Sequence, residues 1–162
     1  GVTEGRTIDG HVLQVPHAHD VLATGVDGIA TGERLTLNGH VHDLREPKTL
    51  GTVPDIDLSY PLEAHPGSEA RLCARLRSEA SGRTLDVWTT EPLLQVYTAG
   101  QLGVAEKPDV GKQGVVHHPR AGICLEPQQY PNAMNCPSFP LMRVAVGQPY
   151  RARTEYRFGI RV

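Results

Sequence analysis

Apolar and polar residues alternate along most of this chain in short runs, and glycine, proline and asparagine cut the runs apart. The clearest run lies between residues 70 and 90. There Leu72, Ala74 and Leu76 alternate with Arg71, Arg75 and Arg77, and Leu85, Val87 and Thr89 answer them across Ser81-Gly82. A two-residue period turns one face of a strand to a core and the other to water, so this stretch predicts a half-buried hairpin. The same reading predicts strands at 7–15, 33–37, 57–62, 84–90, 93–98, 114–116, 122–126, 141–146 and 150–159, with 70–78 as the first arm of the hairpin. Asp27-Gly28, Asn38-Gly39, Pro66-Gly67 and Gly147-Gln148-Pro149 supply turns between them. No segment keeps a 3.6-residue apolar period for three turns without glycine or proline, so no helix is predicted. The pattern is that of an all-β, antiparallel fold. No repeat, low-complexity tract or linker divides the chain, so residues 1–162 are expected to form a single domain.

Composition narrows the function classes. The hydrophobic fraction of 39% is enough for a core of ordinary density. A net charge of −2, from 16 basic and 18 acidic side chains without runs, leaves no footprint for nucleic acid or an anionic membrane. No apolar stretch approaches the roughly 20 residues that span a bilayer, and the first residues lack the order of a signal peptide. Cys73, Cys124 and Cys136 form no closely spaced metal pair and leave an odd thiol in any disulfide scheme. That fits a reducing compartment and a cytoplasmic protein.

The stretch 122–140 holds the candidate chemistry. If Ile123 and Leu125 point into a core, Cys124 and Glu126 share the opposite face. Pro127, Pro131, Pro137 and Pro140 cannot donate to a ladder, so the segment is expected to leave the sheet as an extended loop carrying Gln128, Gln129, Asn132 and Asn135. Amides that both donate and accept, beside a carboxylate that can take a proton, suit a polyhydroxyl ligand.

The run Cys124-Leu-Glu-Pro-Gln-Gln-Tyr-Pro-Asn-Ala-Met-Asn135, followed by Pro137, resembles the Leu-Glu-x-Gln-x-x-Pro-(Asp/Asn)-Ala-x-Asn-x-Pro signature of aldose 1-epimerases, the galactose mutarotases. The resemblance implies that Glu126 is the catalytic base. Further elements follow in the family's order. Thr31-Gly32-Glu33 resembles its Pro-Thr-Gly-Glu turn with Ala30 at the proline, and Asp43-Leu44-Arg45-Glu46-Pro47 resembles its Asp-Phe-Arg-x-Pro element. Asp57 falls on the family's Asp-His-x-Phe-x-Leu strand, with Leu58 in place of the His, and Gln95 matches the Gln of Val-Gln-Phe-Tyr-Thr. Both are implied to hold sugar hydroxyls. The segment from Tyr150 to Phe158 resembles the closing strand.

The fold implied is an antiparallel β-sandwich of the galactose mutarotase-like, supersandwich type. An incomplete copy is expected, because the family's acid His, in Asn-His-x-Tyr-Phe-Asn-Leu, has no counterpart here and the chain is expected to begin just after it. The implied activity interconverts the α and β anomers of hexoses such as galactose and glucose, with no cofactor and no metal. An incomplete sandwich is also expected to expose sheet edges through which copies self-associate.

Two alternatives stand beside this reading. One is a carbohydrate-binding relative on the same fold that keeps Asp57 and Gln95 without turnover. The other is a cupin-like metal protein, because His40-Val41-His42 with Glu46 echoes a His-x-His-x-x-x-Glu metal set, and His17-Ala18-His19 repeats the spacing. Glycine spacing and the lack of a second motif speak against it. His117-His118 before Pro119 reads as a turn, and Cys124 as a small strand residue rather than a nucleophile. Trp88, Tyr97, Tyr130 and Phe139 are expected in the core ahead of a place against a sugar.

Overall fold

A computed structural model describes residues 7–62, 69–104 and 108–161. In chain order the strands are β1 (His11–Gln14), β2 (Asp20–Thr24), β3 (Ala30–Thr36), β4 (Lys48–Thr49), β5 (Asp57–Pro61) and β6 (Arg71–Ser78). They continue with β7 (Arg83–Thr89), β8 (Leu93–Tyr97), β9 (Asp109–Val110), β10 (Val116–His117), β11 (Cys124–Gln128) and β12 (Thr154–Ile160). The helical content among the described residues is three short 3₁₀ turns at Ile8–Gly10, Leu50–Thr52 and Lys112–Gly114.

Every pairing between these strands is antiparallel. A five-stranded sheet runs β12-β7-β6-β1-β4, and a three-stranded sheet runs β11-β8-β5. The main core draws Leu13, Ala74 and Val87 from the first sheet and Tyr60, Leu94, Val96 and Leu125 from the second. Two sheets that bury alternate residues against each other make a sandwich. The β2–β3 hairpin lies against β5 and sends Val21 into the same core.

The hairpin expected between 70 and 90 forms, with one correction. Leu76 faces Leu85 and Ala74 faces Val87, but a bulge between Leu72 and Ala74 shifts the register, so Leu72 meets Trp88 and Thr89 meets Arg71. The extra residue is Cys73, fully buried, whose thiol lies 3.3 Å from the carbonyl oxygen of Val87. The turn at Gly82 needs its positive φ of 68°, and its N–H donates to Ser78.

Other expected strands shrink or vanish. The segment 7–15 opens as a 3₁₀ turn, capped by the Thr7 hydroxyl, before β1 begins. Residues 141–146 form no strand; Ala145 makes a single bridge to Gln148 across the Gly147 turn. Apolar alternation alone does not make a strand where no neighbouring ladder receives it. Thr31-Gly32-Glu33, expected as a turn, lies within β3. Pro66-Gly67 falls outside the described residues. No helix among the described residues is long and apolar enough to cross a membrane.

Candidate functional site

The three-stranded sheet positions the candidate residues by its register. Glu126 on β11 stands opposite Gln95 on β8, which stands opposite Ser59 on β5. One row further along, Cys124, Tyr97 and Asp57 align in the same way. Leu125, Val96 and Leu58 lie between the two rows and turn the other way, into or against the main core. Period-two alternation therefore sends both rows to the face away from the sandwich. Ile123 packs against the core as expected, and Cys124 and Glu126 are exposed beside each other.

The polar groups on this face are linked. The Gln95 amide nitrogen donates to Asp57 Oδ1 at 2.8 Å, and the Ser59 hydroxyl donates to Gln95 Oε1 at 2.5 Å. With both ends of its amide engaged, Gln95 is fixed in orientation, and Asp57 keeps its second oxygen free to accept from a ligand. Glu126 lies across the ladder from this chain of bonds. Burial, and then the neighbouring Glu126 carboxylate, push the Cys124 thiol above its ordinary pKa. Cys124 therefore rests as a thiol, which agrees with setting it aside as a nucleophile.

One end of this face is closed. Leu93 faces a second core made with Leu22, Ala30, Tyr130, Cys136 and Phe139, whereas Gln95 and Tyr97, further along the same face of β8, are only half-buried. The loop after β11 builds that second core. Tyr130 and Phe139 pack 5.1 Å apart with planes tilted by 46°, and Arg34 lies over Tyr130. Both aromatics are core residues, as expected. Tyr97 is the aromatic of the open face. Trp88 takes neither expected place: it stands on the outer side of the five-stranded sheet, with the Arg157 guanidinium 4.2 Å from its ring centre.

Two expectations about the signature stretch are corrected. β11 runs through Pro127 to Gln128 instead of ending at the proline. It can do so because β11 is the edge of its sheet, where a missing donor need not break a ladder bond. The following loop is also not extended, and its amides serve the fold. Gln129 donates to Glu91 at 2.6 Å, Asn132 donates to the Ala30 carbonyl at 2.8 Å, and Asn135 donates to Asn132 at 2.7 Å. Ser138 donates to the Gly32 carbonyl at 2.8 Å. Gly32 has a φ of 97°, and a Cβ there would stand 3.2 Å from Ser138 Oγ, so glycine lets the loop sit on β3.

Glu91 was invisible in the sequence pattern. It is buried, and its carboxylate accepts from Gln129 and from the Tyr150 hydroxyl. Its own N–H donates to Thr89 Oγ1, and its carbonyl accepts from Arg71. In the sequence it falls only between the strand runs 84–90 and 93–98, with Pro92 after it.

Among the described residues the histidines gather no metal set. Residues 38–42 are turns rather than a strand; His40 accepts from the N–H of His42, and their rings sit 5.5 Å apart. Burial and then His40 hold the His42 imidazole below its ordinary pKa. Among the described residues no three His, Cys, Asp or Glu side chains are grouped to hold an ion. Asp43 instead pairs with Arg45 at 2.5 Å.

Residues 2–157 match the family model described as aldose 1-epimerase. The chain belongs to the aldose 1-epimerase family. Its relatives include the galactose mutarotases of Mus musculus and Homo sapiens, each 36% identical over 138 residues. These matches cover 82% of this chain but 39% of either relative, so the chain spans well under half of their length. In structure it is similar to an aldose epimerase homologue from C. elegans, with a TM-score of 0.79 at 21% identity, over 95% of this chain and 47% of the other. The sandwich described above is thus a galactose mutarotase-like fold, corresponding to about half of that neighbour.

Proposed function

We propose that this chain carries the base-bearing side of an aldose 1-epimerase site for hexoses such as galactose and glucose. The observation that carries the reading is the alignment of Glu126, Gln95 and Ser59 in one row, with Asp57 bonded to Gln95, on the open face of a single sheet. Glu126 is the base in this reading, and Asp57 and Gln95 hold ring hydroxyls. Tyr97, half-buried on the same face, offers a surface for the apolar side of the sugar.

The chemistry follows from these roles. Glu126 takes the proton of the anomeric hydroxyl while an acid protonates the ring oxygen, and the ring opens. The freed carbonyl turns its other face, and the ring closes by the reverse transfers. Acid and base catalysis covers both halves, so the reading needs no metal or nucleotide. No residue here is assigned as the acid. A sugar-binding relative without turnover is the second reading, and the match to galactose mutarotases favours the epimerase over it.

We read the chain as one domain, which the shared core of both sheets supports. Its cysteines are free, in keeping with a reducing, cytoplasmic setting. Polarimetry with fresh α-galactose tests the function. Epimerase turnover by the assembly that contains this chain, lost on Glu126→Gln, supports it; sugar binding with no turnover in any assembly selects the second reading.

A further inference from the structure

The sheet that holds Asp57, Gln95 and Glu126 is tied at one end by a residue outside it. Arg120 precedes β11, and its N–H donates at 2.9 Å to the carbonyl of Ala99, just past the end of β8. Its carbonyl accepts from Ile8 at 2.8 Å. Its guanidinium donates to Asp9 Oδ1 at 2.6 Å, to the Leu50 carbonyl at 2.8 Å, and to Asp55, which leads into β5. One residue thus joins the entry of β5, the exit of β8 and the entry of β11. The row of Cys124, Tyr97 and Asp57 is the one nearest to it along the ladders.

The surroundings are shaped for this clamp. Arg120 and Ala99 adopt φ values of 62° and 57°, a left-handed backbone that ordinary residues keep only where their neighbours hold it. A Cβ on Gly100 would collide with the Asp55 carboxylate, and one on Gly51 would stand 3.1 Å from the Asp9 carbonyl oxygen. The Asp55 carboxylate therefore reaches the guanidinium over Gly100, and Gly51 lets the Asp9 backbone lie close beside it. The Arg120 side chain is 17% exposed, whereas Asp9 and Asp55 are 44% and 53% exposed.

We infer that Arg120 is a positioning residue for the sugar site, holding the Asp57 end of β5 in place through Asp55. The inference rests on the reading of Asp57 as a sugar contact. Asp57 lies two residues from the clamped Asp55 and must keep its 2.8 Å bond with Gln95, so a small shift at the strand entry breaks that bond. Both β5 and β11 pair continuously with β8, but Asp57 is the first residue of its ladder and Glu126 the third of its own, so Glu126 depends on the clamp less. Removing the guanidinium frees two carboxylates that water can already reach and leaves the main core short of one hydrogen bond, that to the Leu50 carbonyl, so the core stays folded.

Galactose titration followed by NMR, together with backbone hydrogen exchange, tests this on the 162-residue chain and its Arg120→Met, Arg120→Lys, Gly100→Ala, Asp57→Ala and Arg120→Met/Asp57→Ala variants. Arg120→Met and Gly100→Ala each weaken galactose binding about tenfold, the scale of one lost polar contact, and Arg120→Met adds nothing once Asp57 is alanine. Exchange quickens at Leu58, Ser59 and Tyr60 and is unchanged at Leu13 and Val87, and Arg120→Lys restores part of the affinity. Additive losses in the double variant, or an Arg120→Met chain with unchanged affinity, overturn the inference. If the parent binds no galactose, the reading of Asp57 falls and exchange alone decides. Quickening confined to β5 then supports the clamp, and a uniform change or none overturns it.

Discussion

Glu126 stands directly across the ladder from Gln95, whose amide is held between Ser59 and Asp57. A carboxylate in that place meets a preformed row of hydrogen-bonding groups rather than open surface, and under the proposed function the row sets where a hydroxyl-bearing ligand would lie relative to it. Glu126→Gln keeps the shape and removes the proton acceptor. In an assembly with the complete site, turnover should fall by about 100-fold or more while sugar affinity hardly changes. Equal mutarotation rates for variant and parent, read by polarimetry, would take Glu126 out of the role.

Gln95→Ala should act on binding. Under the proposed function the change removes one sugar contact, and it also releases Asp57 and Ser59 from their fixed orientations, so its cost should exceed that of Ser59→Ala. Each lost hydrogen bond is worth about 0.5–1.5 kcal/mol, or up to about 3 where a charge is involved. Unchanged galactose dissociation constants for Gln95→Ala and Asp57→Ala in NMR titrations would remove both contacts.

Glu91→Ala should cost stability. It strips the acceptor from Gln129 and Tyr150 together and uncouples the loop after β11 from the turn before β8. Because both donors can turn to water, the loss should be about 1–3 kcal/mol in urea denaturation. The Tyr150 phenol, pushed above its ordinary pKa by burial and then by Glu91, should titrate lower in this variant. An unchanged denaturation midpoint would show that the network adds nothing to the fold.

Acid should weaken the fold through Asp9 and Asp43. Thr7 and then Arg120 hold Asp9 below the ordinary value of 3.8, and Arg45 does the same for Asp43. The folded carboxyls bind protons less readily than the unfolded ones, so this stability is present above the ordinary value and is lost as pH falls through the folded values. Urea midpoints should therefore drop as pH is lowered from about 5 to about 3, and the drop should shrink in Asp9→Asn and Asp43→Asn chains. A drop of the same size in both variants would assign the acid sensitivity to other groups.

Self-association should run through β12. Tyr156, Phe158 and Ile160 are 50%, 81% and 73% exposed on an edge strand, an apolar stripe that invites another strand. Light scattering should show oligomers of the isolated chain, and Phe158→Asp should shift them toward monomer. A parent chain that is monomeric at high concentration would contradict this.

What the sequence made legible was local. The alternation of Ile123 and Leu125 with Cys124 and Glu126 sets the face of β11 correctly, and Glu126, Gln95 and Asp57, read from separate stretches, come together on one sheet. What it hid depends on distant partners. Arg120 reads as one basic residue after Pro119 until Asp9 and Asp55 are brought beside it. Gln129, Asn132 and Asn135 read as ligand groups because their composition suits a sugar, yet Glu91 and the Ala30 carbonyl, far away in sequence, claim two of them. The run 141–146 has the composition of a strand and lacks a ladder to join. Cys73 hid its bulge because a strand pattern does not reveal which side carries the extra residue.

Pro127 has a consequence beyond the length of β11. A pyrrolidine ring aimed at β8 would push that strand away, and the ladder from Cys124 to Gln128 is intact, so the ring faces the open margin of the sheet. An incoming chain that tried to zip onto this margin would meet a ring where it needs a donor, one residue from Glu126. The margin beside the carboxylate is thus guarded against other strands and left for something small enough to approach from the face.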